Sequence, residues 1–354
     1  MKKVTVVIPN FNGMKYLKEC LESLRAQKGS SFETIVVDNG SSDGSCVWIR
    51  ENFPEVRLLE LPENLGFCRA VNEGIWASRT PYVLLLNNDI QADPFFVAKL
   101  TEAMERHPRA FSCGAKMLQY YQRDLVDDAG NYYNAMGWAF ARGKDRPQGE
   151  YVREEKIFAA CAGAAIYRRK IFQKIGYFDE EHFAYLEDTD IGYRARLYGY
   201  ENWFVPEAVV YHVGSGTTGS RYNEFKTRYS SRNNIYMLYK NMPLWQIVLN
   251  SPFLLAGFTA KLLFFGIKGL GREYAAGIKN GFQLCKKEKK VEFTRKMCPR
   301  IWKIQVELWK IFLPDFFESK FVYRNLTGKG EYFVAFWGQL LYSSNVKEYW
   351  KKNY

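Results

Sequence analysis

Residues 4–13 read Val-Thr-Val-Val-Ile-Pro-Asn-Phe-Asn-Gly, and residues 35–45 read Ile-Val-Val-Asp-Asn-Gly-Ser-Ser-Asp-Gly-Ser. Each stretch starts as a β-branched run and ends in a polar segment with glycine, which is typical of a buried strand followed by a loop. Neighbouring parallel strands deliver their carboxyl ends to one crevice, and Asp38 stands at its edge. An α/β protein binds a nucleotide at this place, so the two stretches predict a nucleotide-binding fold.

Strand and helix patterns alternate through the first half of the chain. The predicted strands are residues 4–9, 33–38, 56–60 and 82–87, and the predicted helices are residues 14–27 and 67–78. In the first helix Met14, Leu17, Leu21 and Leu24 recur at helical spacing, which buries one face. The βαβα order predicts an α/β fold with a mainly parallel central sheet and right-handed crossovers, and helices on both faces.

Composition divides the chain into two parts. At 354 residues and 47% hydrophobic content, the chain is long enough for one large domain and an appendage. Residues 221–354 hold 24 Lys and Arg against 9 Asp and Glu, whereas the rest holds 26 against 29. Such an asymmetry favours contact with an anionic partner. Because the front half is mildly acidic, we expect no nucleic acid.

The seven cysteines are scattered, without a Cys-x-x-Cys pair, so they indicate neither a zinc site nor a disulfide framework. A reduced, cytosolic compartment fits this pattern. The first residues, Met1-Lys2-Lys3, lead directly into a strand, so we expect no signal peptide.

The fourth predicted strand, Leu84-Leu85-Leu86, stops at Asn87-Asn88-Asp89. These polar groups should lie at the carboxyl edge of the sheet, beside Asp38. A carboxylate there is a hard oxygen ligand for Mg²⁺ or Mn²⁺ that bridges a nucleotide diphosphate. Capping of the next helix is the alternative role for Asp89.

Together these segments resemble glycosyltransferase family 2, which has the GT-A nucleotide-diphospho-sugar fold. The resemblance is carried by residues 4–13, 36–44, 64–74 (Asn-Leu-Gly-Phe-Cys-Arg-Ala-Val-Asn-Glu-Gly) and 84–89. Residues 178–194 (Phe-Asp-Glu-Glu-His-Phe-Ala-Tyr-Leu-Glu-Asp-Thr-Asp-Ile-Gly-Tyr-Arg) resemble the acceptor-side signature of its rhamnosyltransferase-like branch. The implied architecture is a GT-A domain over residues 1–240, with a nucleotide-sugar half (1–110) and an acceptor half (111–240), and a mostly helical membrane-associating region over residues 241–354.

The resemblance implies donor-side roles. Asp38 would read the pyrimidine base, and Asn87 and Asp89 would stand where the family has its Asp-x-Asp motif. Because Asn87 carries no charge, Asp89 must hold the Mg²⁺ or Mn²⁺ nearly alone, with help from the diphosphate oxygens. The other implied donor-binding residues are Pro9, Asn10, Gly66, Arg69, Asn72 and Asn88. The helix after Gly66 offers backbone N–H groups to a diphosphate, although this glycine would equally serve as a helix cap.

A second acidic cluster marks the acceptor side. Glu187, Asp188 and Asp190 lie within four residues, and crowding of like charges in a partly apolar cleft raises a carboxyl pKa toward that of a useful general base. The resemblance implies that Asp188 is the base. The implied acceptor-binding residues are Tyr185, Glu187, Asp190 and Arg194. Asp190 and Arg194 are four residues apart, which predicts a local ion pair worth ~0.3–0.5 kcal/mol. A solvated helix turn is the alternative for the cluster.

His212 stands at the end of a predicted strand, where an imidazole suits a borderline divalent metal. The resemblance implies that it is the second protein ligand, and a structural histidine is the alternative. The segment 215–219 that follows (Ser-Gly-Thr-Thr-Gly) is predicted either to close over the substrates as a lid or to be a surface loop.

One base and one metal are sufficient for a direct displacement that inverts the anomeric centre. The Gln-x-x-Arg-Trp segment of processive members of the family is missing from this sequence, which indicates that one sugar is added per encounter with the acceptor. We expect transfer of rhamnose from dTDP-rhamnose to a polyprenyl-diphosphate-linked glycan, for cell-surface polysaccharide synthesis. The alternatives are a UDP-sugar transferase (galactofuranose, galactose or N-acetylglucosamine) and a non-catalytic sugar-nucleotide- or glycan-binding subunit.

The basic region predicts location. Residues 241–260 carry no charge but are interrupted by Asn250, Ser251 and Pro252, unlike a spanning helix of ~20 apolar residues. Residues 253–272 place Lys261, Lys268 and Arg272 on one stripe, which predicts an interfacial helix. The run 286–290 and Trp302, Trp309, Trp337 and Trp350 add charge and anchors. We expect peripheral attachment to an anionic membrane surface, on the cytoplasmic side of the plasma membrane; packing on the catalytic domain or a homodimer through this region is the alternative.

Overall fold

A computed structural model describes residues 2–214 and 222–317 of the chain. The strands are β1 (Val4–Asn10), β2 (Phe32–Asp38), β3 (Arg57–Glu60), β4 (Tyr82–Leu86), β5 (Ile90–Ala92), β6 (Ala110–Gln119), β7 (Val126–Asp128), β8 (Asn131–Tyr133), β9 (Ala139–Ala141), β10 (Glu155–Ile157), β11 (Ala164–Arg168) and β12 (Glu201–His212). The helices are α1 (Met14–Arg25), α2 (Ser45–Asn52), α3 (Phe67–Ala77), α4 (Phe96–Arg106), α5 (Arg169–Ile175), α6 (Glu187–Leu197), α7 (Glu224–Asn241), α8 (Leu244–Ile267), α9 (Gly271–Cys285) and α10 (Cys298–Phe317).

A ten-stranded mixed sheet forms the centre of the protein. Its main strand order is β10-β12-β6-β11-β4-β1-β2-β3, with β5 paired to β12 and β7 to β6. The predicted parallel half is present, since β1 pairs in parallel with β2 and β4, and β2 with β3. Strand β11 runs antiparallel between β4 and β6 and joins this half to the second one. The predicted fold class is thereby confirmed.

The predicted elements of the front half begin and end within two residues of the observed ones, because the apolar period that predicts them is also what buries them. Helix α1 buries Leu17, Leu21 and Leu24 together with Cys20, while Met14 is only partly buried. Apolar clusters fill both faces of the sheet. Strands β1, β4 and β12 end at one edge, and the segments that follow them form the site described below.

The C-terminal helices correct two sequence expectations. Residues 244–267 form one continuous helix, α8, despite the interruption at Asn250 to Pro252. Pro252 lacks the N–H that would bond the Val248 carbonyl, and the Ser251 hydroxyl donates to that carbonyl instead, at 2.8 Å. Since α8 ends at Ile267, Arg272 belongs to α9, and the expected basic stripe through residues 253–272 is wrong.

Among the described residues, α8 is the one helix whose length and hydropathy would allow it to cross a membrane. Helices α7, α8 and α9 pack together, and α10 packs on α6. The division of the chain at residue 240 stays a prediction. The predicted lid at residues 215–219 and the anchors Trp337 and Trp350 lie outside the described residues.

Candidate active site

A cavity of about 630 Å³ opens at the carboxyl edge of the sheet, between the ends of β1 and β4 and the start of α6. Nine residues that were predicted to form the site line it: Pro9, Asn10, Asn87, Asn88, Asp89, Tyr185, Glu187, Asp188 and His212. Other lining residues are Phe11, Asn39, Asn64, Phe67, Cys161, Ala162, Gly163, Phe183, Ala184, Leu186, Phe225 and Lys226. The structure therefore brings together segments that are far apart in the sequence.

Asn10 organises the donor-side edge of the cavity. Its amide nitrogen donates to Asp38 Oδ2 at 2.8 Å, and its amide oxygen accepts from Asn88 Nδ2, also at 2.8 Å. Asp38 is only 2% exposed, and its second oxygen accepts from the Ser41 backbone N–H. Asp38 does not line the cavity, whereas its neighbour Asn39 does. A direct contact between Asp38 and a base stays a prediction that requires these hydrogen bonds to rearrange.

Asp89 and His212 face each other across the end of the sheet. Asp89 Oδ1 lies 3.4 Å from His212 Nε2, and His212 Nδ1–H donates to Asp127 Oδ2 at 2.8 Å. Burial lowers the pKa of His212, but its hydrogen bonds to the two carboxylates prevail and raise it to about 10. Burial likewise raises the pKa of Asp127, but the bond to His212 outweighs it and lowers the pKa to about 2. The imidazole ring is thereby fixed with Nε2 toward Asp89.

These two side chains fit a divalent metal only in part. Within residues 2–214 and 222–317, no group of three or more His, Cys, Asp or Glu side chains is arranged to hold a metal ion. Asp89 supplies one carboxylate oxygen, and His212 would supply Nε2 once a metal displaces the proton that the two carboxylates hold on the ring. A magnesium or manganese ion commonly completes such a shell with substrate phosphates and water. The pair therefore fits a metal that binds together with a nucleoside diphosphate.

Asp188 lies in the first turn of α6 and is held at both oxygens. Asn131 Nδ2 donates to Asp188 Oδ2 at 2.7 Å, and the Thr189 backbone N–H donates to Oδ1 at 2.6 Å. Burial raises the pKa of Asp188 above its usual value, and these hydrogen bonds oppose the rise. For Glu187, burial and then the charge of Asp188 raise the pKa to about 8. Near neutral pH Glu187 is therefore neutral, and the hydrogen bonds to Asp188 favour the charged form of that carboxyl.

The segment before α6 has a strained backbone. Positive φ angles occur at Phe183 (60°), Tyr185 (73°) and Leu186 (66°). Such conformations persist where the surroundings hold them in place. The fully buried Asn233 of α7 does so, because its amide donates to the carbonyls of His182, Ala184 and Tyr185, each at 2.8 Å. Asn233 thus determines how the cavity wall and the first turn of α6 are presented.

Asp190 and Arg194 do not line the cavity, and their expected role in acceptor binding is corrected. Asp190 is 0% exposed and accepts hydrogen bonds from Arg194 (2.7 Å), Asn241 (2.6 Å) and Lys240 (3.2 Å). Burial alone raises the pKa of Asp190, but the Arg194 and Lys240 charges hold it well below its usual range. Asp190 and Arg194 therefore belong to a buried hydrogen-bond network that joins α6 to α7, and they do not form a local ion pair on the surface.

Three predicted donor-binding residues also lie outside the cavity. Arg69 pairs with Glu73 at 2.6 Å and with Glu180 at 3.2 Å. Asn72 is buried and donates to the Phe178 carbonyl at 2.8 Å. Gly66 has a φ of 89°, and a Cβ there would come within 2.8 Å of the Phe183 carbonyl oxygen. These residues hold the wall of the cavity, and direct donor contacts for them stay a prediction.

Five residues of the site were not predicted as site residues from the sequence: Asn39, Asp127, Asn131, Lys226 and Asn233. Their side chains act on partners 25 or more residues away, as in the 57-residue separation of Asn131 and Asp188. The run Asp127-Asp128-Ala129-Gly130-Asn131 is a local pattern that could have indicated a polar turn after a strand. Lys226 lines the cavity, where burial lowers its pKa.

A family model described as "Glycosyl transferase family 2" matches residues 5–176. Over 241 residues the chain is 27% identical to "N-acetylglucosaminyl-diphospho-decaprenol L-rhamnosyltransferase" of Mycobacterium tuberculosis, an alignment that covers 60% of this chain and 77% of that protein.

Two solved structures have a similar fold. One is GalNAc-T7 with UDP, GalNAc and Mn²⁺, with a TM-score of 0.54, 15% identity, and coverage of 67% of this chain and 48% of that chain. The other is the mannosyltransferase PcManGT from Pyrobaculum calidifontis in complex with GDP-Man and Mn²⁺, with a TM-score of 0.51, 15% identity, and coverage of 90% and 88%. At this identity the likeness shows the fold alone. The family match extends from β1 through α5, the part that supplies the donor-side edge of the cavity. The chain is a glycosyltransferase with the GT-A fold, and its residues 5–176 are a glycosyltransferase family 2 domain.

Proposed function

We propose that this glycosyltransferase is inverting and metal-dependent, and that it transfers one rhamnose from dTDP-rhamnose to a glycan carried on a polyprenyl diphosphate. The observation that carries the proposal is that Asp89, His212 and Asp188 line one cavity large enough for a sugar nucleotide. The sugar and the lipid-linked acceptor are supported by the mycobacterial relative, which is named for both. With such an acceptor, we propose that the enzyme acts at the cytoplasmic side of the plasma membrane.

Asp188 would act as the general base. Held by Asn131 and Thr189, its carboxylate would accept the proton of an acceptor hydroxyl as that oxygen forms a bond to the anomeric carbon. The bond from the anomeric carbon to the diphosphate oxygen breaks at the same time, so the configuration is inverted. Glu187, neutral near pH 7, and Tyr185 would bind the acceptor.

The donor would lie along the ends of β1 and β4. We assign Pro9, Asn10, Asn87 and Asn88 to donor binding, because they line the cavity beside Asp89. Asp89 and His212 would hold the Mg²⁺ or Mn²⁺. When bound, the metal neutralises charge on the departing nucleoside diphosphate.

A panel of nucleotide sugars tests the donor. Calorimetry with Mn²⁺ should show the tightest binding for dTDP-rhamnose, and NMR of the product should show an inverted anomeric centre. Preference for UDP-galactofuranose, UDP-galactose or UDP-N-acetylglucosamine would replace the rhamnose assignment. Binding without turnover for every donor would favour a non-catalytic sugar-nucleotide-binding subunit.

Asp89→Asn should weaken binding of Mn²⁺ together with dTDP by about 2 kcal/mol, roughly 30-fold in Kd, because a neutral amide replaces a charged ligand. Calorimetry at constant dTDP measures this change. Asn87→Asp is the matched control, since it adds a carboxylate two residues away and should tighten the same binding. Equal affinity of Asp89→Asn and the native protein would remove Asp89 from the metal site.

Asn131→Ala should move the acid limb of the pH dependence of kcat to higher pH. Asn131 donates to the Asp188 carboxylate and lowers its pKa, so its loss lets burial raise that pKa further. At about pH 6 the transfer rate should fall about ten-fold, with recovery at about pH 9. Thr189→Val removes a longer contact to the same carboxylate, 3.2 Å from the hydroxyl, and should shift the limb less. A rate that falls equally at every pH would contradict this role.

A further inference from the structure

Helix α8 exposes large apolar side chains along its outer side and buries two polar ones near its start. Gln246 and Asn250 are fully buried, whereas Leu255 is 72% exposed and Ile267 is 79% exposed. Lys261, the single charged residue in the α8 sequence, is partly buried and lies with Nζ 5.7 Å from the ring centroid of Trp138. In water a helix places such residues the other way round. The outer side of α8 is therefore built for contact with an apolar medium.

The exposed side forms one uncharged stripe along the whole helix. Its members are Leu244, Trp245, Val248, Leu249, Ser251, Pro252, Leu255, Ala256, Thr259, Leu262, Leu263, Gly266 and Ile267. The stripe continues onto α10, because Trp302, itself exposed, packs against Trp245 with ring centroids 4.9 Å apart, and Val306 is exposed one turn further. An exposed apolar surface of this extent indicates an interaction site.

The inner side of α8 contacts the protein from end to end. Near its start, the Tyr193 hydroxyl donates to Gln246 at 3.0 Å. In the middle, Trp138 donates to the Gly257 carbonyl at 3.1 Å. Near its end, Phe264 packs against Tyr222 with centroids 5.5 Å apart. A helix that spans a membrane would extend away from the rest of the protein into the bilayer. Helix α8, about 36 Å long, instead lies along the surface of the protein over its whole length.

The charge around the stripe is complementary to an anionic lipid surface. Residues 222–317 hold 17 Lys and Arg against 6 Asp and Glu. Exposed basic side chains adjoin the stripe at Lys268 after α8 and at Lys303 beside Trp302. Tryptophan and basic side chains next to an apolar helix face are typical of a helix at the headgroup boundary.

We propose that α8 and the adjoining face of α10 are the surface by which this protein docks on an anionic lipid bilayer, with α8 in the plane of the interface. The occupant is lipid, because the stripe is free of charge and its rim is basic. Docking of this kind would bring the cavity to a lipid-linked acceptor, and in that respect the surface rests on the proposed function. The contact itself depends only on α8 and α10.

Co-sedimentation with vesicles of phosphatidylcholine and phosphatidylglycerol tests the surface with the full chain. The native protein should pellet with the vesicles, and a carbonate wash should release it because α8 does not span. The double variant Leu255→Asp, Ile267→Asp should lower the partition coefficient about ten-fold or more, since two exposed apolar side chains that would enter the lipid are replaced by charged ones.

Val47→Asp, Val152→Asp is the matched control, since both side chains are exposed (56% and 62%) and lie outside the stripe. It makes the same charge change and should pellet like the native protein. Circular dichroism checks folding, and donor hydrolysis without vesicles checks catalysis. If the native protein hydrolyses donor but does not bind vesicles, the docking surface is overturned and the proposed function is not.

Three other results would overturn the proposal. They are equal pelleting of the stripe variant and the native protein, retention of the native protein after carbonate, and a native dimer in sedimentation equilibrium that the stripe variant dissociates while neither protein binds vesicles. The last result would assign the stripe to a second copy of the chain.

Discussion

Asp188→Asn is expected to abolish sugar transfer while binding of the nucleotide-sugar donor stays nearly unchanged. The amide fits the same space between Asn131 and Thr189 but cannot accept the proton of the acceptor hydroxyl. Loss of a positioned general base lowers kcat by roughly 10² to 10⁴-fold. A radiolabelled transfer assay measures the rate, and calorimetry with Mn²⁺ measures donor affinity.

Glu187→Gln is the control for this variant. Because burial and the Asp188 charge raise the pKa of Glu187 to about 8, this carboxyl is already neutral near pH 7. Glutamine has the same lack of charge and nearly the same shape. Its kcat should stay within about ten-fold of the native value, even if KM for the acceptor rises. Native kcat in Asp188→Asn, or an equal loss in both variants, would remove Asp188 from the role of base.

Asp190→Asn should destabilise the whole protein instead of changing the chemistry. The substitution leaves the buried Arg194 and Lys240 cations without their shared carboxylate, and such a loss costs about 3–5 kcal/mol. The thermal midpoint should fall by roughly 10 °C. Because the pKa of Asp190 is lowered by folding, this contribution is complete above the pKa of an unfolded aspartate and is lost as the pH falls through the lower folded value.

Glu22→Gln is the matched control, since Glu22 and Lys18 have the same i, i+4 spacing but lie on the surface, 3.9 Å apart. Its thermal midpoint should stay within about 1 °C of the native value. Similar midpoints for the two variants would show that the Asp190 network does not hold α6 to α7.

The parallel half of the sheet and the polar residues that follow its strands could be predicted from the sequence. Asp89 stands three residues after the apolar strand β4, and His212 is the last residue of β12. Parallel pairing of β1, β2 and β4 brings strand ends to one edge. These features depend on the apolar periodicity of each segment and on the residue at which each apolar run stops. Both can be read from one short stretch of sequence. The alternation of strands and helices predicted the fold class, and the resemblance of the motifs implied the family; the family match and the similar structures confirm both.

Only the tertiary structure decided which polar side chains face the cavity and which are buried in the frame. Asp188 and Asp190 look equivalent in the sequence, yet one is held by Asn131 at the cavity and the other by Lys240 and Asn241 in the interior. Likewise, α8 reads as an interrupted apolar run until Asn250 is seen bonded to Gln305 of α10. Burial is set by segments that pack from far along the chain, so no local pattern specifies it.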